Sequence, residues 1–408
     1  MVNKIIKIKV FLPFILSLFY YEGIAQWNIQ YFDPRQNDLY AIHFCNPLIG
    51  LAVGKSGTIL STVDGGIHWQ PKYNVCSGNL YCTTSSISGK GWAAGDSGVI
   101  LFTSDSGNSW KVQNNSSTEN LRSIFHYRDE ILWASGNKGT LLHTTTGGIL
   151  WQMQYSSTKN SLNSIFFFDL YNGWAVGDSG TIVQTKDGGI TWDKKYSGTT
   201  KKLQSVYFTS LYKGWICGEN GIILYTNDTG INWSQEETGV SVQLNSIAFF
   251  DSDSGFVAGS EGKILYTRNG GYSWSLQSSG TTDPLFSTTL IFPDKKWVVG
   301  ANGVILFNNN GGNSGLNNQT MGDDSQLSNF PNPFTKSTTI SFNINKAQKI
   351  TIDIFSGTGL MCSTITQNCT VPGIQNIILK PEFSTTGIYY YRLTANHAIT
   401  TGKMMKIK

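Results

Sequence analysis

Charged side chains are scarce in this sequence: Asp, Glu, Lys and Arg make up 14% of its 408 residues, against roughly 25% in ordinary soluble chains. That deficit excludes a coiled coil and a disordered chain, both of which rely on dense charge. Proline is sparse, at 10 residues, and the 6 cysteines form no CxxC pair and no Cys/His cluster with zinc spacing. Neither a structural metal nor a cofactor is expected. Long apolar runs are missing beyond residue 25, so no later segment suits a membrane-spanning helix. Glycine (44), Phe (22), Tyr (18) and Trp (12) are plentiful instead. Many short strands joined by tight turns have this composition, and an all-β chain is predicted.

The formal charge of +4 sits at the two ends. Residues 1–25 carry Lys4, Lys7 and Lys9 against Glu22, and residues 327–408 carry eight basic against two acidic side chains, which leaves −4 for the middle. A nucleic-acid binder needs a basic body, so no nucleic-acid partner is expected. The three lysines precede an apolar run from Val10 to Tyr21 and the small-residue pattern Gly23-Ile24-Ala25. This predicts a secretory signal peptide over residues 1–25, cut between Ala25 and Gln26. The run is shorter than the ~20 residues of a membrane anchor. In an oxidising compartment, Cys76 with Cys82 and Cys362 with Cys369 are candidate disulfides, while Cys45 and Cys217 read as small core residues.

The chain repeats itself every 41 residues. Gly54, Gly95, Gly136, Gly177, Gly218, Gly259 and Gly300 keep that step, as do Gly57, Gly98, Gly139, Gly180, Gly221, Gly262 and Gly303, and Trp69, Trp110, Trp151, Trp192, Trp233 and Trp274. Seven registers without an insertion mean seven copies of one supersecondary unit. In the fourth copy, Leu162–Phe168, Gly173–Gly177, Gly180–Thr185 and the polar stretch after Trp192 are four short segments bounded by turn residues, which is a β-propeller blade. A linear solenoid would leave two exposed ends. The seventh copy has Gly315 where the step calls for Trp, so its outermost strand is missing, and Trp27-Asn28-Ile29-Gln30-Tyr31 supplies one of matching kind. The two ends of the chain are therefore predicted to share a blade and close the ring. All twelve Trp are then accounted for: seven in the outer register, and Trp92, Trp133, Trp174, Trp215 and Trp297 in the second strand, where Leu51 and Phe256 stand in the other two blades.

The segment Thr185-Lys186-Asp187-Gly188-Gly189-Ile190-Thr191-Trp192 resembles the Asp-box, the bacterial neuraminidase (BNR) repeat. Beside this copy, with its Asp187, Gly189 and Trp192, the motif recurs at Asp64, Gly66 and Trp69, at Asp105, Gly107 and Trp110, and at Asp228, Gly230 and Trp233. Thr146, Asn269 and Asn310 replace the Asp elsewhere. The carboxylate can accept backbone N–H groups across the turn, the Gly supplies a positive φ and the Trp anchors the hairpin, so the motif reads as a turn device. With the GWAVG and L-x-S-I-x-F strands, residues 27–315 most resemble the seven-bladed propellers of the photosystem II stability and assembly factor family. That resemblance implies a non-catalytic platform for a partner. The acidic body holds only Arg35, Arg122, Arg128 and Arg268, so it does not extend to the photosynthetic partner.

The last 80 residues carry a separate resemblance. Leu327-Ser328-Asn329-Phe330-Pro331-Asn332-Pro333-Phe334, the later strand-like segments and the terminal Lys403–Lys408 are similar to type A C-terminal sorting domains of the type IX secretion system. Their alternation predicts a small immunoglobulin-like β-sandwich. The resemblance implies handling by the secretion machinery of a Bacteroidetes-type bacterium, passage through the periplasm, and secretion or display on the outer-membrane surface. The predicted organisation is a signal peptide (1–25), a seven-bladed propeller (26–312), a Gly/Asn-rich linker (313–326) and the sorting domain (327–408), with propeller and sorting domain folding separately.

Catalytic patterns are weak. A sialidase needs three converging Arg, a Tyr nucleophile and an acid, and a xyloglucanase-type glycosidase needs a second propeller and two carboxylates across a cleft. Asp169 and Asp251 share a register but read as turn residues, and Asp251-Ser252-Asp253-Ser254-Gly255 lacks the remaining acids of a calcium loop. His43, His68, His126 and His143 fall in different registers. The turn tips opposite the Asp-boxes, at Lys55, Asp96, Lys138, Asp178, Glu219 and Glu261, form the candidate binding face. The expected function is that of a monomeric, secreted or surface-displayed interaction module for a protein or glycan, with a glycoside hydrolase using the propeller face as the alternative.

Overall fold

The computed structural model describes residues 27–292, 295–308, 327–344, 346–356, 361–380, 386–395 and 398–407. The expected signal peptide, the Ala25/Gln26 junction, the linker 313–326 and Gly315 lie outside the described residues.

Blade four shows how the repeat folds. Leu162–Phe167, Gly173–Gly177, Ile182–Thr185 and Asp193–Lys195 form one antiparallel sheet in chain order, from inner to outer strand. Every residue of the second strand, Gly173 to Gly177, is buried, because a neighbouring blade covers each face of the sheet. The outer strand, at the rim, is polar. Two glycines per blade are required by close approach. Gly177 is extended, and a Cβ there would fall on the Ser161 carbonyl oxygen, which accepts the amide of Asp178 at 3.0 Å. Gly180 has φ +66°, and its Cβ would collide with the Thr199 carbonyl.

Neighbouring blades are joined by two repeated devices. The second-strand indole of one blade stacks on the Phe that ends the next inner strand: Trp133 on Phe167, Trp174 on Phe208 and Trp215 on Phe249, each at 3.7 Å. Its Nε1 donates to the next Asp-box, Trp133 to the Gly188 carbonyl at 3.0 Å and Trp215 to that of Gly270 at 2.9 Å. The Ser of the L-x-S-I strand accepts an amide from the next inner strand, as Ser164 does from Val206 at 3.3 Å and Ser205 from Ile247 at 3.3 Å.

The stacking and the serine bond also cross the join, while Trp297 Nε1 donates to Gln30 instead of to the next box. Trp297 stacks on Phe44 at 3.8 Å, and Ser287 accepts the Ile42 amide at 3.3 Å. Asn28–Phe32 pairs antiparallel with Val304–Asn308 and completes a four-stranded sheet with Lys295–Gly300 and Leu285–Phe292. Seven four-stranded sheets make a seven-bladed propeller, with no open end of the kind a solenoid would leave.

The C-terminal unit is a sandwich. Ser328–Phe330, Thr338–Ile344 and Gly373–Leu379 form a three-stranded sheet, and Met361–Cys369, Gln348–Ser356, Gly387–Ala395 and Ala398–Lys406 a four-stranded one. Ile340 and Phe342 from one sheet pack on Ile352, Tyr391 and Leu393 from the other in a core that contains no propeller residue.

The candidate disulfides are not formed. Cys362 and Cys369 lie near the two ends of a single strand rather than on adjacent ones. At about 3.3 Å of rise per residue their Cα atoms are roughly 20 Å apart, far beyond the reach of a disulfide. The Cys76 thiol donates to the Gly78 carbonyl at 3.4 Å and the Cys82 thiol to that of Ala94 at 3.6 Å. Each is a separate thiol in the structure, and Cys45 and Cys217 are buried.

Candidate binding face

The turn between the second and third strands of each blade is one tight 3₁₀ turn, Lys55–Gly57, Asp96–Gly98, Asn137–Gly139, Asp178–Gly180, Glu219–Gly221, Ser260–Gly262 and Ala301–Gly303. Lys55, Lys138, Glu219 and Glu261 are exposed there, and Asp96 and Asp178 are half-buried. Two of these acids also hold the backbone that enters their own blade, and a third bonds a side chain of its own inner strand. Asp96 accepts the Asn79 amide at 2.8 Å, Glu219 accepts the Lys202 amide at 3.1 Å, and Asp178 accepts from the Asn163 side chain at 3.0 Å. Lys138 pairs with Glu119 at 2.8 Å. The tip residues thus form a rim of mixed charge.

Inside that rim lies a ring that the sequence reading passed over. The second residue of each inner strand, next to the tip turns, steps by 41 through Tyr40, Tyr81, Arg122, Asn163, Gln204, Asn245 and Phe286, all half-buried. One half of the ring is aromatic and cationic. Phe286 lies 5.6 Å from Tyr40, Tyr40 lies 5.5 Å from Tyr81, and the Arg122 guanidinium sits 4.6 Å above the Tyr81 ring. Arg122 Nε donates to Asn137 Oδ1 at 3.0 Å, which ties the ring to the rim. The other half is made of amides, with Asn163 and Asn245 donating to the Leu203 and Leu285 carbonyls at 2.9 and 2.8 Å. Burial pushes the Tyr40 and Tyr81 hydroxyls above their ordinary range, so both stay protonated donors at neutral pH. The available signal was the variable residue between Leu and Ser in L-x-S-I, an inner-strand position that does not repeat.

The opposite face carries the Asp-boxes. Asp187 accepts the Thr191 amide and hydroxyl at 2.9 and 2.6 Å and the Thr185 hydroxyl at 2.8 Å, while Thr185 Oγ1 accepts the Gly189 amide at 2.8 Å. Bonds from His68 and from Ser109 hold the Asp64 and Asp105 carboxyls down at about 2, the reverse of what a general acid needs at neutral pH. Thr146 and Asn269 make the same amide bond without a carboxylate, to Leu150 and Ser273 at 3.0 Å each. The box therefore needs an acceptor, and an acid is dispensable.

The box glycines have a second role beside the turn. Gly66, Gly107, Gly189 and Gly230 do have positive φ, between +81° and +95°, but all four are buried, so none of them is open to a ligand. The amides of Gly66, Gly107 and Gly230 donate to Thr62, Thr103 and Thr226 Oγ1 at 2.9, 3.0 and 3.1 Å, as Gly189 does to Thr185. A Cβ would strike the Gln30 amide at Gly66, the Leu51 and Ser61 side chains at Gly107, and the Trp174 indole nitrogen at Gly230. Each of those neighbours belongs to the preceding blade. The glycine is therefore also the point where one blade seats on the next, which the motif's spacing within a blade did not reveal. Its carbonyl is used as well, at 3.2 Å from Trp110 Nε1 for Gly107 and 3.1 Å from Trp233 Nε1 for Gly230. Trp69 and Trp192 are buried and Trp110 and Trp233 half-buried, in keeping with an anchoring role.

The groups weighed for catalysis are scattered. Arg122 and Arg128 lie at opposite ends of one strand, Arg268 sits in the blade-six box and Arg35 stacks on Tyr73 at 3.8 Å. Asp169 accepts the Asn172 amide at 2.7 Å and Asp251 that of Ser254 at 2.6 Å, both as turn residues. One pair was unforeseen. His43 and His126, from blades one and three, meet edge-on at 5.8 Å across Thr84 and Ser85 of blade two. Burial pushes them down to about 3 and about 4, so both are neutral.

Residues 21–118, 149–239 and 233–341 match the family model described as photosynthesis system II assembly factor YCF48. The chain belongs to that family. Residues 328–408 of this YCF48-family chain match the secretion system C-terminal sorting domain, which marks it for export to the cell surface or medium. The solved structure titled "YCF48 bound to D1 peptide" is 20% identical and superposes with a TM-score of 0.62, over 70% of this chain and 98% of that one. YCF48 from Cyanidioschyzon merolae is likewise 20% identical, at a TM-score of 0.59 and the same coverage. The WD40 propeller domain of Doa1 is 13% identical at a TM-score of 0.57, over 69% of this chain and 96% of that one. At these identities the likeness shows the fold alone. No curated protein matches the chain. Among the described residues, no helix is long and apolar enough to cross a membrane.

Proposed function

We propose that this YCF48-family chain is a non-catalytic interaction module that works outside the cell and holds a protein segment in its tip-side channel mouth. The single observation that carries the reading is the divided ring. An aromatic arc from Phe286 through Tyr40 to Tyr81, ending in the Arg122 guanidinium, faces an arc of side-chain amides. Aromatic rings supply apolar contact at low entropic cost. Amides on the facing arc match the N–H and C=O groups of an extended chain, and a guanidinium suits a carboxylate or carbonyl. One solved YCF48 structure is of YCF48 bound to D1 peptide, which favours a peptide over a glycan here. The acidic body argues for a partner other than a photosynthetic one.

In the same reading, residues 1–25 direct the chain to the periplasm with cleavage between Ala25 and Gln26, and residues 327–408 carry it across the outer membrane of a Bacteroidetes-type bacterium. Binding to peptide and glycan arrays tests the ligand class. Peptide binding that falls at least tenfold in Arg122→Ala and Tyr81→Ala, with unchanged melting, supports the proposal. Binding confined to glycans, binding indifferent to both substitutions, or saturable turnover of chromogenic glycosides overturns it.

A further inference from the structure

The sorting domain has a second buried face. Its four-stranded sheet turns Ile350, Ile352 and Ile354 into the sandwich core, so the alternate residues should face water, as on one side of most antiparallel sheets. Two of them do not: Asp353 is 7% and Phe355 6% exposed, and Arg392, the cross-strand partner of Asp353, is 8% exposed. What covers them is the turn that follows the inner strand of blade six. Arg392 donates from Nε and Nη2 to Asp353 Oδ2 at 3.1 and 2.6 Å, and from Nη1 to Asp251 Oδ2 at 3.2 Å. The Phe250 ring lies 4.4 Å from the same guanidinium and 5.6 Å from Phe355.

We propose that the sorting domain docks in cis on blade six, with Phe250 and Asp251 as its receptor on the propeller, and that the secretion machinery meets the tail in competition with this contact. The arrangement satisfies a buried cation. Arg392 shares its charge with one carboxylate from each domain, and a buried ion pair is favourable only when its geometry and remaining donors are satisfied. The same dipeptide also occurs in blade four as Phe168-Asp169. There Asp169 bonds Asn172 and Phe168 is 36% exposed, so sequence alone does not make the receptor. Docking is on the Asp-box side and leaves the tip-side mouth open. Removal of the tail would bare Phe250 beside a small pocket lined by Ser254, Phe256, Tyr266, Leu290 and Lys296.

The test uses the full chain with a protease site inserted between residues 313 and 326 and cut after purification. The two fragments should co-elute in size-exclusion chromatography at micromolar concentration. Phe250→Asp should raise the dissociation constant at least tenfold, whereas the matched Phe168→Asp should leave it within twofold. Asp251→Asn keeps the turn acceptor but removes the charge, and should weaken docking severalfold while reducing its salt dependence. Each variant's melting temperature in the nicked chain reports its fold. Separation of the unmutated fragments, equal loss in Phe250→Asp and Phe168→Asp, or docking unaffected by both Phe250→Asp and Asp251→Asn overturns the proposal.

Discussion

Trp27 donates its indole N–H to Gln277 Oε1 at 3.2 Å across 250 positions of sequence. The bond copies two others inside the ring, Trp151 to Gln113 at 3.2 Å and Trp192 to Gln154 at 3.3 Å. Gln30, three residues on, repeats half of the partner role: it donates to the Gly65 carbonyl at 3.0 Å, as Gln113 does to Gly147 at 2.8 Å, but it accepts from Trp297 of its own blade at 3.0 Å instead of from Trp69 of the next. The N-terminal strand therefore supplies blade seven with two of the side-chain contacts that other blades take from their own outer strand, the Trp27 bond to Gln277 and the Gln30 bond to the next box.

Trp27→Ala should cost about 3–5 kcal/mol, the usual penalty for emptying a Trp site in a core. Thermal melting of the variant, and of a chain lacking residues 26–38, should show a clear loss of stability, larger in the deletion. An unchanged curve in both would mean that the ring closes without this strand.

The box aspartates should be replaceable by amides. Asp187→Asn should lie within about 1 kcal/mol of the parent, because Asn269 already fills that position in blade six. Thr185→Val, which strips the acceptor for the Gly189 amide, should cost about 1–3 kcal/mol by leaving that buried donor unpaired. Denaturant unfolding ranks the two, and the reverse order would contradict the turn role.

The histidine pair sets an acid limit. His43 and His126 are held at about 3 and about 4 by burial, below the ordinary value near 6.5. As pH falls below that value the unfolded chain takes up protons first, so stability present above about pH 6.5 is lost progressively toward the folded values, at about 1.4 kcal/mol per pH unit for each residue. His126→Phe places the residue that blades one, four, five and six have at this register. Its melting temperature should decline less between pH 7 and pH 5 than that of the parent, and an equal decline would assign the acid sensitivity elsewhere.

Deleting residues 327–408 should leave a folded propeller in the periplasm, since the two cores share no residue. Fusing that segment to an unrelated periplasmic reporter should move the reporter to the surface or medium. Fractionation reads both results. Export of the truncated chain would remove the segment's role as the address.

The repeat of 41 residues determined the fold by itself, because each glycine, tryptophan and serine that recurs answers a local demand that recurs with it. Gly177 clears a carbonyl, Trp174 reaches Phe208 in the next blade, and Ser164 caps the Val206 amide. Even the missing outer strand of blade seven was legible as a gap with one matching segment to fill it. Positions that do not repeat were opaque, since their meaning lies in neighbours from other blades. Tyr40, Tyr81 and Arg122 became one arc only when the ring brought them side by side, and His43 met His126 across a blade that separates them in sequence. Gly66, Gly107 and Gly230 were legible as turn positions, yet their seat against the preceding blade came only with the ring. Cys362 and Cys369 failed as a pair because a strand without a turn between them holds their ends apart. Periodicity specifies what every blade must do to pack; closure of the ring and docking of the tail decide which of the remaining side chains meet.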